Sequence, residues 1–110
     1  MPESGDLIWL DFDPQAGREQ TGRRPALALS PKYFNVRSCV AYACPITSKV
    51  KGYRFEVLLP PGLPVQGAVL CEHMRSVDWR VRSAVFLGRM PDAVFAQVRG
   101  VVGMIAGITP

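Results

Sequence analysis

The chain reads as a mainly β protein with minor α content, a strongly bent antiparallel sheet or small β-barrel carrying a C-terminal helix at about 91–106. Three observations predict this. Six short apolar runs recur along 110 residues, bounded by Gly, Pro, Ser or Asn, a spacing that suits short strands and close turns. Pro60-Pro61-Gly62-Leu63-Pro64 excludes a helix or central strand from the middle of the chain. A helical period of apolar residues shows only near the C-terminus. At this length one hydrophobic core is expected, hence a single domain over 1–110.

In the first run Ile8, Leu10 and Phe12 share one strand face, and Leu7, Trp9, Asp11 and Asp13 share the other. The polar segment Arg18 to Pro25 follows and reads as a surface connection, the kind of place where function concentrates. Further strands are expected within 25–30, 39–46, 54–59, 67–72 and 83–88, with Pro45 near a strand end or at an edge. Segments 17–24, 31–38, 47–54 and 60–66 read as loops. The terminal helix has Pro91 in its first turn, Asp92 near the positive end of its dipole and Gly107 as terminator. Its apolar face is Val94, Val98, Val101, Val102 and Ile105, with Gly100 and Gly103 suited to close packing.

Composition narrows the function. The net charge is +4, and removing the four carboxylates of residues 1–14 leaves +8 on the other 96 residues. Ten of the thirteen basic residues are arginine, the side chain best shaped for bidentate phosphate contacts and base stacking. They cluster: Arg18, Arg23 and Arg24; then Lys49, Lys51 and Arg54; then Arg75, Arg80 and Arg82. Cys39, Cys44 and Cys71 form an odd set without a Cys-x-x-Cys spacing, and His73 is the only histidine. No disulfide framework or zinc site is expected, and the cysteines read as core. No apolar run approaches the roughly 18 residues of a membrane span, and no signal peptide is evident. A cytoplasmic protein with no membrane association is the expectation.

The familiar catalytic sets are missing: no Gly-x-Ser-x-Gly elbow, no phosphate loop, no paired histidines and no carboxylate cluster for magnesium. Transesterification of RNA needs none of them, because the attacking 2′-hydroxyl belongs to the substrate. The protein must take that proton, neutralise charge on the phosphorane oxygens and help the 5′-oxygen leave. Arg24 suits the phosphate, Glu19 is the nearest candidate base, and Thr47 offers a neutral hydrogen bond. The basic Arg18, Arg23, Lys49 and Arg75 are candidate RNA-binding residues. No metal or cofactor is called for.

Gly5-Asp6-Leu7-Ile8-Trp9-Leu10-Asp11-Phe12-Asp13-Pro14, Gly17-Arg18-Glu19-Gln20-Thr21-Gly22-Arg23-Arg24-Pro25, Cys44-Pro45-Ile46-Thr47-Ser48 and Arg75-Ser76-Val77-Asp78-Trp79-Arg80 together resemble the MazF/PemK toxins of bacterial toxin–antitoxin systems. The resemblance runs in order from residue 5 to the C-terminal helix. It implies a small SH3-like barrel of the MazF/CcdB type, a homodimer, and a cognate MazE-like antitoxin with an acidic, flexible C-terminal part. It also implies a metal-independent, sequence-specific endoribonuclease acting on single-stranded RNA, leaving a 2′,3′-cyclic phosphate and a 5′-hydroxyl. By position, the family's essential arginine before proline falls on Arg24, its catalytic threonine on Thr47 and its loop glutamate on Glu19. The resemblance also implies RNA binding by Gln20, Ser48, Glu72 and His73, and at Glu72-His73 the chain departs from the family, where glutamine commonly follows the acidic residue. Two other readings fit the same scaffold, a CcdB-like inhibitor of DNA gyrase and a basic RNA-binding barrel without turnover.

Overall fold

A computed structural model describes residues 1–11 and 23–108. Its strands are β1 (Asp6–Asp11), β2 (Arg23–Ala28), β3 (Ala41–Thr47), β4 (Glu56–Leu58), β5 (Ala68–Leu70), β6 (Arg75–Val77) and β7 (Val85–Arg89). Helix α1 (Lys32–Ser38) links β2 to β3, and α2 (Asp92–Ile105) ends the chain. All pairings are antiparallel, in the order β4-β5-β3-β2-β1-β7, with β6 also on β3. The sheet bends at β3, whose Ala41–Ala43 pair with β6 while Ile46 and Thr47 pair with β5. The expected mainly β architecture is therefore present as a bent sheet whose hydrogen-bonded path stays open from β4 to β7.

Alternation along the strands builds two cores. Leu7, Leu27, Cys44, Ile46, Val57, Val69, Cys71, Met90 and Val98 pack in one, against α2. Ile8, Leu10, Ala26, Ala28, Ala43 and Val77 pack in the other. The sequence pattern assigns only the Ile8–Leu10 face of β1 to a core, but Leu7 on the opposite face is equally inaccessible. Each fully buried large aliphatic side chain contributes about 1.5–3 kcal/mol. Burial pushes the Cys44 thiol up to about 12, helped by neighbouring Cys71, and pushes Cys71 up to about 11. Both thiols stay protonated near neutrality and serve as small hydrophobes. Cys39 departs from the expectation: it is half-buried, with φ 64° at the end of α1.

The helix at 32–38 replaces an expected loop. Its seven residues are too few to display a helical period, and tertiary hydrogen bonds hold it in place. The buried Asn35 amide donates to Pro2 O (2.9 Å) and Ser30 O (3.0 Å), and the Lys32 N–H donates to Glu3 Oε1 (2.8 Å). Trp79 Nε1 donates to Asn35 O at 3.0 Å, so this half-buried indole supports α1. Helix α2 lies within its expected bounds, preceded by Pro91. Gly107, at φ +76°, donates to Met104 O while Ile108 donates to Gly103 O, the paired bonds that close a helix at a left-handed residue. Gly100 packs closely against none of the described residues, since an added Cβ there would meet nothing of them within 4 Å.

Candidate nucleic-acid interface

The end of the β1–β2–β3 ladder is where the basic residues gather. Arg23 and Arg24 belong to β2 itself, which corrects their placement in a loop: their pairing with Asp11 and Leu10 of β1 continues the strand past Pro25. Pro45 pairs with Ala26, Cys44 with Leu27 and Ala43 with Ala28. Continuing that register by two positions sets Arg24 across from Thr47, the last residue of β3. Both line a hollow of about 460 Å³ with Trp9, Arg23, Pro25, Ile46, Ser48, Lys49 and Gln66.

Within this hollow the two arginines differ. Arg23 Nη2 donates to Ser83 O (3.0 Å), and its Nη1 lies 3.4 Å from Asp11 Oδ1. Arg24 is exposed and forms no ion pair among the described residues. Its donor fork therefore remains available to an anion. Thr47 is oriented from two sides. Lys49 N–H donates to its Oγ1 at 3.0 Å, which occupies an acceptor position and leaves the hydroxyl proton to donate outward. On the other side Thr47 pairs with Ala68, and Gly67 abuts its carbonyl at φ +126°, where a Cβ would collide with that oxygen.

Thr47 and Lys49 also form the near wall of a second hollow of about 320 Å³ with a different lining: Lys51, Tyr53, Phe55, Glu56, Leu70, Glu72 and His73. Glu56 Oε1 accepts the N–H groups of Lys51 (3.1 Å) and Gly52 (2.9 Å), pinning the segment that carries Tyr53. Lys51 Nζ sits 5.9 Å from the Tyr53 ring centre, within cation–π range.

Of the residues expected from sequence, Arg23, Arg24, Thr47, Ser48 and Lys49 meet at the first hollow, and Glu72 and His73 meet Thr47 and Lys49 at the second. Arg75 lies in β6 opposite Ala43 and lines neither. Glu19, Arg18 and Gln20 lie outside the described residues. Segment 31–38, expected as a loop, is mostly helix α1, where the Phe34 ring lies 5.9 Å from the Tyr42 ring. Trp9, Gln66, Phe55, Glu56 and Leu70 were not singled out. The pairing of Glu56 with Leu70 brings together two runs that sequence treats separately; the carboxylate inside the apolar run 54–59 was the available signal. Among the described residues no group of three or more His, Cys, Asp or Glu is arranged to hold a metal, and no helix is long and apolar enough to cross a membrane.

A family model described as PemK-like, MazF-like toxin of type II toxin-antitoxin system matches residues 3–105. The endoribonuclease toxin MazF of Escherichia coli (strain K12) is 37% identical over 107 residues, covering 97% of this chain and 96% of its own. Endoribonuclease PemK of Escherichia coli is 33% identical over 102 residues, covering 89% of this chain and 77% of its own. The crystal structure of MazF (Form-I) from Deinococcus radiodurans is similar with a TM-score of 0.87 at 54% identity, covering 96% of each chain. A chain of the MazE-MazF crystal structure (Form-II) from that organism gives 0.88 at 47% identity, covering 98% of this chain and 97% of its own.

Proposed function

The chain belongs to the PemK-like, MazF-like toxin family of type II toxin–antitoxin systems, and on that premise we propose that it is an endoribonuclease cutting single-stranded RNA without a metal. The observation that carries the reading is the placement of Arg24 and Thr47 around one cationic hollow at the open end of the sheet. The substrate's 2′-oxygen attacks the adjacent phosphorus, the bond to the 5′-oxygen breaks, and the products are a 2′,3′-cyclic phosphate and a 5′-hydroxyl. Arg24 grips the non-bridging oxygens as charge builds on them. A guanidinium holds its proton across the ordinary pH range, which suits it to this clamp better than to proton donation. Thr47 donates its hydroxyl to the same phosphate, and Lys49 adds charge at the rim. Glu19, carried in sequence between β1 and β2, is the carboxylate proposed to take the 2′ proton, and the departing 5′-oxygen gains a proton in turn from that carboxyl or from solvent. Arg23 and Ser48 line the backbone path in this reading, and Arg18 and Gln20 are assigned to RNA binding from sequence alone.

The chain works as one domain, in the cytoplasm, and as a homodimer. In support of dimerisation, edge strand β7 leaves Val85 (49%) and Phe86 (60%) exposed, and α2 leaves Met104 and Ile105 in water, apolar surface that a second copy would cover. The structural likeness to a chain of a MazE-MazF complex supports inhibition by a MazE-like antitoxin. An acidic segment of that partner would be attracted to the same basic surface and occlude it.

The test is incubation of purified protein with single-stranded RNA in excess EDTA, with mass spectrometry of the new ends. Cyclic phosphate and 5′-hydroxyl termini are expected, and lost when Arg24→Ala protein of unchanged melting temperature is used. Intact RNA together with a stable gyrase complex would instead favour a non-enzymatic toxin, and tight RNA binding with no product a passive binding protein.

A further inference from the structure

We infer that Arg23 is a positioning residue for the cleavage reaction and not a phosphate ligand: with Asp11 and the Ser83 carbonyl it forms a clasp that locks the β6–β7 turn onto the strand ends beside Arg24. It borders the RNA path as part of the wall. The inference rests on the ribonuclease reading and assigns a role within that same site.

Three observations carry it. The first is where the donors of Arg23 go. Its Nη2 donates to Ser83 O at 3.0 Å, and its Nη1 lies 3.4 Å from Asp11 Oδ1. Both terminal arms of the guanidinium are thus engaged within the chain, and the Asp11 carboxylate offsets the charge that would draw a phosphate. Arg24, the next residue, has no such ion pair among the described residues.

The second is place. Asp11 and Arg23 pair across β1 and β2, one step beyond Leu10 and Arg24. Element ends open more readily than their centres, so this pair fixes the backbone that carries Arg24.

The third is that the turn is built to receive the arginine. Asp78 Oδ1 accepts the N–H groups of Arg80 and Val81, each at 3.1 Å, and Ser83 N–H donates to Arg80 O at 3.2 Å. Ser83 stands at φ 55°, a left-handed conformation that a residue other than glycine keeps where surrounding contacts hold it. The same turn grips β1, since Asp11 N–H donates to Arg82 O (3.0 Å) and Arg82 Nη1 donates to Asp11 O (2.9 Å). It therefore holds β1 through Asp11 and β2 through Arg23. With both strand ends fixed, Arg24 meets the phosphate in one geometry, and a misplacement of about 1 Å there can cost up to about a hundredfold in rate. The Arg23 and Asp11 side chains are 38% and 30% exposed, and ion pairs of that kind add little to overall stability. The clasp acts locally.

The experiment measures kcat, KM and the salt dependence of binding on single-stranded RNA in EDTA for wild-type protein, Arg23→Ala, Arg23→Lys and Asp11→Asn. Each variant is expected to lose about tenfold in kcat, with KM changed less than kcat and the melting temperature hardly moved. Lysine fails because one point donor cannot hold both partners. Joining Arg23→Ala to Asp11→Asn is expected to cost no more than the larger single effect, the mark of residues acting as a unit. In both Arg23 variants the slope of log K against log salt should match the wild type. A phosphate ligand behaves otherwise: Arg23→Ala would raise KM and reduce that slope by about 0.7, Arg23→Lys would keep most of the activity, and Asp11→Asn would speed cleavage by removing a negative charge beside the path. Any of these results overturns the clasp and leaves the ribonuclease reading standing. If Arg23→Ala does not fold, the sign of the Asp11→Asn effect decides. If the wild-type protein cuts no RNA, the ribonuclease reading falls and this role with it.

Discussion

The two hollows on either side of Thr47 share a wall and differ in almost everything else. One is lined by Arg23, Arg24, Lys49 and Gln66 at the open end of β2 and β3. The other has aromatic walls, two glutamates and a histidine. Phosphate contacts position a nucleic acid whatever its sequence, whereas contacts to base edges discriminate. In the proposed reading the bent sheet separates these jobs across one strand end, so rate and preference should respond to different substitutions.

Arg24→Ala should have the largest effect. Removing a transition-state donor of this kind costs about 10²–10³ in kcat, and because Arg24 is exposed the melting temperature should hardly move. Thr47→Val keeps the shape and removes the hydroxyl; a loss of about tenfold in kcat is expected, near the value of one hydrogen bond to a charged group. Gly67→Ala tests the shared wall, since a methyl there collides with the Thr47 carbonyl and φ +126° is strained for alanine. It should destabilise the fold by about 1–3 kcal/mol, read as a lower melting temperature, and slow cleavage of every sequence. Lys49→Ala should weaken binding a few-fold for all sequences and reduce the slope of log K against log salt by about 0.7, one single-strand phosphate. A changed base preference in this last variant would blur the separation of the two hollows.

Legibility in the sequence followed how local each feature was. Helix α2 was readable because its apolar period, Pro91 and Gly107 all lie within one short stretch. The strand runs were readable from alternation and bounding turns, although β1 alternates between two cores, so its second buried face at Leu7 showed only once β7 and α2 were in place. Helix α1 was missed because Pro2 and Glu3 hold it through contacts distant in sequence. Arg24 and Thr47 are named by chemistry and family resemblance, but their meeting depends on the β2–β3 register. The aromatic hollow was least visible, since Glu56 and Leu70 become neighbours only through the pairing of β4 with β5. Glu19 lies outside the described residues, and its assignment still rests on sequence.

The division of labour is tested most directly with an RNA pool randomised around a cleaved bond, cut in excess EDTA by the wild-type protein and by Arg24→Lys. That variant keeps the charge and loses the two-pronged donor fork. The account predicts that every sequence slows by a similar factor while the pattern of preferred bases stays the same. An unchanged rate, or a pool cut in a different base pattern, would contradict it.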